Sequence, residues 1–169
     1  MASGATKAAR SASNGIDVAQ LTRILEEGYG PGAWHGANMK AALEDVSPEL
    51  AYWRPNPKRH SIAEIALHHA YCTRGARAKL TGETPEAFVL PGDDWFPLAS
   101  EKTVAWAKVM ESVEREHRRL VAALGGKPGR GTPGPLKAGE VFDLVLGITC
   151  HAVYHAGQIQ LLKRLRSEG

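Results

Sequence analysis

No stretch of this sequence stays apolar for the roughly 20 residues that a bilayer crossing requires, and its first residues lack the apolar centre of a secretory signal. The expectation is a cytoplasmic protein with no membrane partner. Cysteine is nearly absent: Cys72 and Cys150 belong to no CxxC pair. Each is expected to be a free thiol that behaves as a small hydrophobe. Charge of one sign is lacking too, because the formal net charge is only +3 over 169 residues. Basic residues alternate with acids, as in Glu111, Glu114, Arg115, Glu116, Arg118 and Arg119, which is the pattern of a solvated helix face. No nucleic-acid partner is expected, and Lys163-Arg164-Leu165-Arg166 is read as a basic last helical turn complementing the macrodipole.

Two metal motifs are missing. Ala152 follows His151, so there is no HExxH zincin motif. Glu114-Arg115-Glu116-His117 is formally an ExxH, but Ile148 stands three residues before His151. The second ExxH of a carboxylate di-iron bundle is therefore absent, and His117 is expected on a solvated face. There is also no internal repeat and no alternating strand pattern.

What the sequence does have is helical periodicity, with hydrophobic residues at 43% and charged residues at 23% of the chain, an ordinary globular balance. Residues 1–15, rich in Ala, Ser and Gly, bury too little apolar surface to offset their ordering entropy and are read as a mobile tail. Residues 16–167 are read as one domain. Asp17 caps a first helix through Val18, Leu21, Ile24 and Leu25, broken by Gly28, Gly30, Pro31 and Gly32. A helical segment is expected from His35 to Asp45, then a loop marked by Ser47-Pro48 and Arg54-Pro55-Asn56-Pro57. Ser61 and Glu64 form a capping-box pattern that opens a second main helix through His68 and Cys72 toward Leu80. A third begins near Ser100 and ends at Gly125-Gly126. Lys127 to Leu136 is a Gly/Pro-rich linker, and a fourth helix runs from Glu140 to Arg166. Four long amphipathic segments with irregular connections give an all-α fold, a four-helix bundle.

The chemistry concentrates in the fourth helix. Leu144, Ile148, His151, His155, Gln158, Leu162 and Leu165 are spaced 4, 3, 4, 3, 4 and 3, a heptad stripe expected to face the interior. Its middle is His, His and Gln, and each buried polar group without a partner costs about 1–3 kcal/mol. His151 and His155 lie one turn apart and can converge on one ion. A third ligand comes from His68 or His69; the two lie about 100° apart around the helix axis, and periodicity does not choose between them. Gln158 is read as a hydrogen-bonding support, and Cys72, one turn beyond His68, as a weaker candidate ligand. His60 is expected to pack where the chain meets the second main helix. His35 is a weak candidate to line the pocket. Trp53, Trp95 and Trp106 are read as core or interface residues.

Ser61-Ile-Ala-Glu64-Ile-Ala-Leu-His68 and His151-Ala-Val-Tyr-His155-Ala-Gly-Gln158-Ile, with Trp34-His35-Gly36 upstream, resemble the DinB/YfiT-like family of helical-bundle metalloproteins over residues 17–166. The resemblance implies one divalent ion (Zn, Ni, Mn or Fe) held by His68, His151 and His155. It selects His68 over His69, because the family's ligand lies seven residues after the Ser or Thr that opens the helix. Some members resemble thiol-dependent transferases or isomerases, but the family is functionally mixed and its activity does not carry over. Three histidines leave a coordination position open for water or substrate, and on that ground the expectation is a metal-dependent enzyme of unknown substrate, a thiol-dependent transferase or a hydrolase, with a low-molecular-weight thiol as one candidate small molecule. The alternative is a non-catalytic metal-binding or stress-related bundle. No catalytic residue is named. A homodimer is expected, with Val141, Val145 and Leu161 as apolar residues outside the seam.

Overall fold

Caps and breakers set the helix boundaries of the computed structural model, which describes residues 17–30, 33–126 and 136–168. Among these residues there are six helices and no strand: α1 (Val18–Tyr29), α2 (Met39–Leu43), α3 (Pro48–Tyr52), α4 (Ile62–Thr81), α5 (Trp106–Leu124) and α6 (Ala138–Ser167). No helix among them is long and apolar enough to cross a membrane. The expected tail, residues 1–15, and nearly all of the expected linker lie outside the described residues.

Asp17 caps α1 through the Ala19 N–H. The Ser61–Glu64 box opens α4, and Gly82 closes it in the left-handed conformation that glycine takes without strain. Glu140 reaches back to the Lys137 N–H at 2.7 Å and starts α6.

Three local expectations need correction. Gly28 does not end α1. It is buried inside the helix, where an added Cβ would stand 3.0 Å from the Thr149 carbonyl oxygen and 3.1 Å from the Ala152 Cβ, so glycine lets α1 and α6 approach closely. The expected helix from His35 shrinks to α2, capped by Asn38, and Ser47-Pro48 begins the short α3 with serine as cap and proline at its first turn. The third long helix starts at Trp106, not Ser100. Residues 100–103 make a turn closed by the Thr103 N–H on the Ser100 carbonyl, and the Trp106 indole N–H, bonded to the Val46 carbonyl at 2.9 Å, fixes where α5 begins.

The four long helices lie against one another: α4 on α5, α1 and α4 on α6, and α1 on α5. One apolar cluster joins α2, the start of α4 and α5, and the Ala152, Ala156, Ile159 and Leu162 half of α6. A second, at the other end, joins Leu21, Leu25, Leu120, Leu124, Val141 and Val145.

The expected seam of α6 is rotated. Its core-facing arc runs through Val141, Val145, Ala152, Ala156 and Ile159, while Leu144 and Ile148 are only half-buried and Leu165 is 42% exposed. The displacement is less than one residue's 100° turn. Apolar residues surround α6, so their spacing marks no single inward face. Val141 and Val145 therefore belong to the core and supply no dimer surface. The rotation leaves His155 buried and puts His151 at the half-exposed edge of the buried arc.

Candidate metal centre

His68 comes from the middle of α4, and His151 and His155 come from successive turns of α6 where the two helices meet. The His151 Nε2 lies 3.1 Å from the His68 Nε2 and 3.1 Å from the His155 Nε2. One nitrogen from each ring lies within 4.8 Å of the others.

The surroundings decide where each ring carries its proton. The His68 Nδ1 faces two acceptors of Asp94, the carbonyl oxygen at 3.0 Å and the carboxylate Oδ1 at 3.1 Å. It must donate, which leaves a lone pair on Nε2. The His155 Nδ1 donates to the Gln158 Oε1 at 2.6 Å, and Gln158 is held in turn by its own NH₂ donating to the Tyr154 hydroxyl. His155 therefore also presents a lone pair at Nε2.

His151 is set through a longer relay. The Thr73 hydroxyl spends its proton on the His69 carbonyl at 2.9 Å, so toward the His69 Nε2, at 3.5 Å, it can only accept. His69 then carries its proton on Nε2 and accepts at Nδ1 from the His151 Nδ1, 3.3 Å away. That leaves the third Nε2 lone pair facing the other two.

Three lone pairs aimed at one another are mutually repulsive and complementary to a Lewis acid. Nitrogens about 2.0–2.1 Å from a tetrahedral ion stand roughly 3.3 Å apart, close to the spacing found. Burial first, then the neighbouring imidazoles, push the His151 pKa down to about 4. Burial also lowers those of His155 and, strongly, His69. Ligation needs neutral imidazole, and these surroundings supply it. The donor set therefore fits a divalent ion.

Two further donors flank His68. The Cys72 Sγ lies 3.8 Å from its Nε2, and Asp94, exposed, can join both in a second group of three. Burial pushes the Cys72 thiol up to about 11, so it stands protonated. The Trp95 ring stacks on His68 at 4.0 Å and on His60 at 3.8 Å, placing the indole between the two imidazoles. The loop carrying Asp94 and Trp95 is tied down by Glu64, whose buried carboxylate accepts from the Leu98 N–H at 2.9 Å, the Ser61 N–H at 3.0 Å and Arg54 at 2.5 Å. Asp94 holds its position with a φ of 61°, a strained backbone for a residue other than glycine.

A family model described as the DinB superfamily matches residues 32–159, well over half of the chain. The chain belongs to the DinB superfamily. The matched span of this DinB-superfamily protein contains His68, His151, His155, Asp94 and Gln158. Searches of curated proteins and of solved structures each found no match.

Several expectations about this DinB-superfamily chain change. Trp95 packs against the core as expected and is also a stacking partner at the centre. His60 is part of that stack and also meets Glu64 at 3.3 Å. His35 lies away from the cluster, exposed, donating to the Glu27 carbonyl at 2.9 Å. His117 is not solvated: it is buried, stacked on Tyr29 at 3.8 Å and bonded to Glu26 at 3.0 Å, which joins α5 to α1. Among the described residues no group of potential ligands includes Glu114 or His117. Arg164 and Arg166 stand in the last turn of α6 as expected, while the Lys163 ammonium reaches another helix and donates to the Ala42 and Glu44 carbonyls at the end of α2. Asp94 is the residue the sequence reading missed. It lies 26 positions from His68 in a loop without periodicity, and Pro91-Gly92-Asp93-Asp94-Trp95 signals only a turn.

Proposed function

We propose that this protein binds one divalent metal ion through the Nε2 atoms of His68, His151 and His155, within a four-helix bundle of α1, α4, α5 and α6. We further propose that the bound ion serves a thiol-dependent transferase or a hydrolase acting on a small molecule. The observation that carries the reading is the convergence of three lone pairs, each oriented by a separate hydrogen bond from its other ring nitrogen. Such outer partners fix the tautomer and orientation of metal-binding imidazoles.

Three protein ligands leave a coordination position for water or substrate, as catalytic sites do. A divalent ion held there by His68, His151 and His155 would supply Lewis acidity and lower the pKa of a water or thiol that reached it. The protein's own groups do the rest. Trp95 and the α4–α6 contact shield one side, while the half-exposed His151 leaves the other open. A cleft of about 610 Å³ runs past His60, Ile65, Gln158 and Leu161, with Lys58 and Arg59 on its rim. Gln158 joins that cleft to His155.

The rival reading is a non-catalytic metal-binding bundle, and Cys72 favours it, because a fourth ligand one turn from His68 would close the open position. Elemental analysis of protein purified without an affinity tag is expected to give about one Zn, Ni, Mn or Fe per chain. Assay of the loaded protein with low-molecular-weight thiols and electrophiles then separates the two readings. Turnover that is lost in His151→Ala supports the enzyme. A full complement of metal with no turnover across the panel supports the binder.

A further inference from the structure

The loop from α3 to α4 is basic, exposed and held by its own hydrogen bonds. Arg54 donates to the Arg59 carbonyl at 2.9 Å, the Arg59 N–H to the Asn56 carbonyl at 3.1 Å, and the Lys58 N–H to the Asn56 Oδ1 at 3.0 Å. These bonds consume acceptors and leave donors over. The Asn56 amide keeps its NH₂. Glu64, the carboxylate beside this loop, is spent on Arg54, His60 and two backbone N–H groups. Among the described residues no acid pairs with Lys58 or Arg59.

The cleft of about 610 Å³ lies between this loop and α6. Gln158, on its α6 side, shows the same bias. Its Oε1 faces the His155 Nδ1 and one amide hydrogen goes to the Tyr154 hydroxyl, so its second N–H stays unused. The remaining wall is apolar, with Ile65 from α4 and Leu161, Leu162 and Leu165 from α6, and no carboxylate is among the lining residues described. Leu161 is 57% and Leu165 42% exposed, and contiguous exposed apolar surface marks a binding surface. A cation entering this cleft would find no acid to pair with. A neutral hydrocarbon would leave both cations unanswered.

We propose that this cleft binds a small organic anion. Lys58, Arg59 and the Asn56 amide hold its carboxylate or phosphate head, and its apolar body lies along Ile65, Leu161 and Leu165. The Arg59 guanidinium offers the planar fork that such heads accept in pairs of hydrogen bonds. Because the loop is already tied in place, binding loses little ordering entropy. Resting on the reading of the histidines as a metal site, this anion is the class of substrate that the site takes: Gln158 borders the cleft and bonds His155, so the ligand lies one side chain from an imidazole that holds the ion.

Calorimetric titration with octanoate, octyl phosphate and neutral octanamide tests the proposal. At least one of the two anions should bind once per chain and about tenfold or more tightly than octanamide; the tighter anion names the head. Affinity should rise at least tenfold from butanoate to octanoate as the body reaches the leucines, and should fall with added salt. Lys58→Gln and Arg59→Gln should each weaken anion binding by about tenfold, with Arg59→Lys milder. Both side chains are exposed and unpaired with acids, so helicity and metal content should stay unchanged in these variants. Octanamide binding as tightly as both anions, affinity untouched in both Gln variants, or neither anion binding at millimolar concentration overturns the proposal. None of the three histidines lines the cleft, so protein treated with chelator should still bind the anion. A chain that binds the anion but no ion keeps the cleft and loses the metal reading. A chain that binds an ion but neither anion keeps the metal reading and loses the cleft.

Discussion

His68 and His69 are adjacent and both buried, yet they do different work. His68 aims a nitrogen at the centre, and His69 fixes the tautomer of His151. His68→Ala is therefore expected to abolish measurable metal binding. His69→Ala should retain binding weakened by about 10–100-fold, the usual cost of losing such an outer partner. Titration of metal-stripped protein with zinc checks both; equal losses, or the reverse order, would contradict the assignment. Glu64 makes a second residue-scale case. Burial alone would raise its pKa, but the Leu98 N–H, Arg54 and the Ser61 N–H outweigh it and hold the carboxyl below its ordinary value. A carboxyl depressed in the fold contributes stability above its unfolded pKa, about 4.3, and that contribution is lost as pH falls through the folded value. Urea midpoints should drop across this acidic range, and less steeply in Glu64→Gln. Glu64→Ala leaves the Ser61 and Leu98 N–H groups without their acceptor, while Arg54 keeps the Arg59 and Leu98 carbonyls; it should cost about 1–3 kcal/mol for each stranded donor, measured by denaturant unfolding at pH 7.

At the scale of the element, legibility followed local chemistry. The α4 start was readable because a capping box is a contact between residues three apart, and the α1 cap because Asp17 bonds the Ala19 N–H two residues on. The inward face of α6 was not readable, since α1, α2 and α4 all contact it and its apolar residues occur on every side. The pairing of the α6 histidines was legible from their spacing alone; the choice of His68 came from the resemblance. Asp94 and Trp95 reach the centre only through the fold of a loop that Glu64 tethers, and tertiary placement of that kind leaves no period in the sequence. Gly28 shows the same limit, because a helix-breaking residue is here a packing residue. Gly28→Val would drive a branched side chain into Thr149 and Ala152, where the glycine leaves 3.0–3.2 Å. Overpacking of this sort costs about 1–3 kcal/mol. The variant should melt several degrees lower, and an unchanged melting temperature would mean that α1 and α6 are not in close contact.

Over the whole molecule, the fold supplies two rigid helices, α4 and α6, and a tethered loop, and the histidine cluster forms where they meet. Polar groups in a helical core are costly without partners, so an ion that binds the folded chain should raise its melting temperature. Chelation should lower it again. The most direct measurement is the anomalous diffraction of a crystal of metal-loaded protein, recorded on both sides of the metal's absorption edge. The account predicts one peak per chain, about 2.0–2.1 Å from the Nε2 atoms of His68, His151 and His155, with Asp94 still bonded to the His68 Nδ1 and Gln158 to the His155 Nδ1. A peak bound through Nδ1 atoms, a peak on His69 in place of His68, or no peak between α4 and α6 in metal-saturated crystals would contradict it.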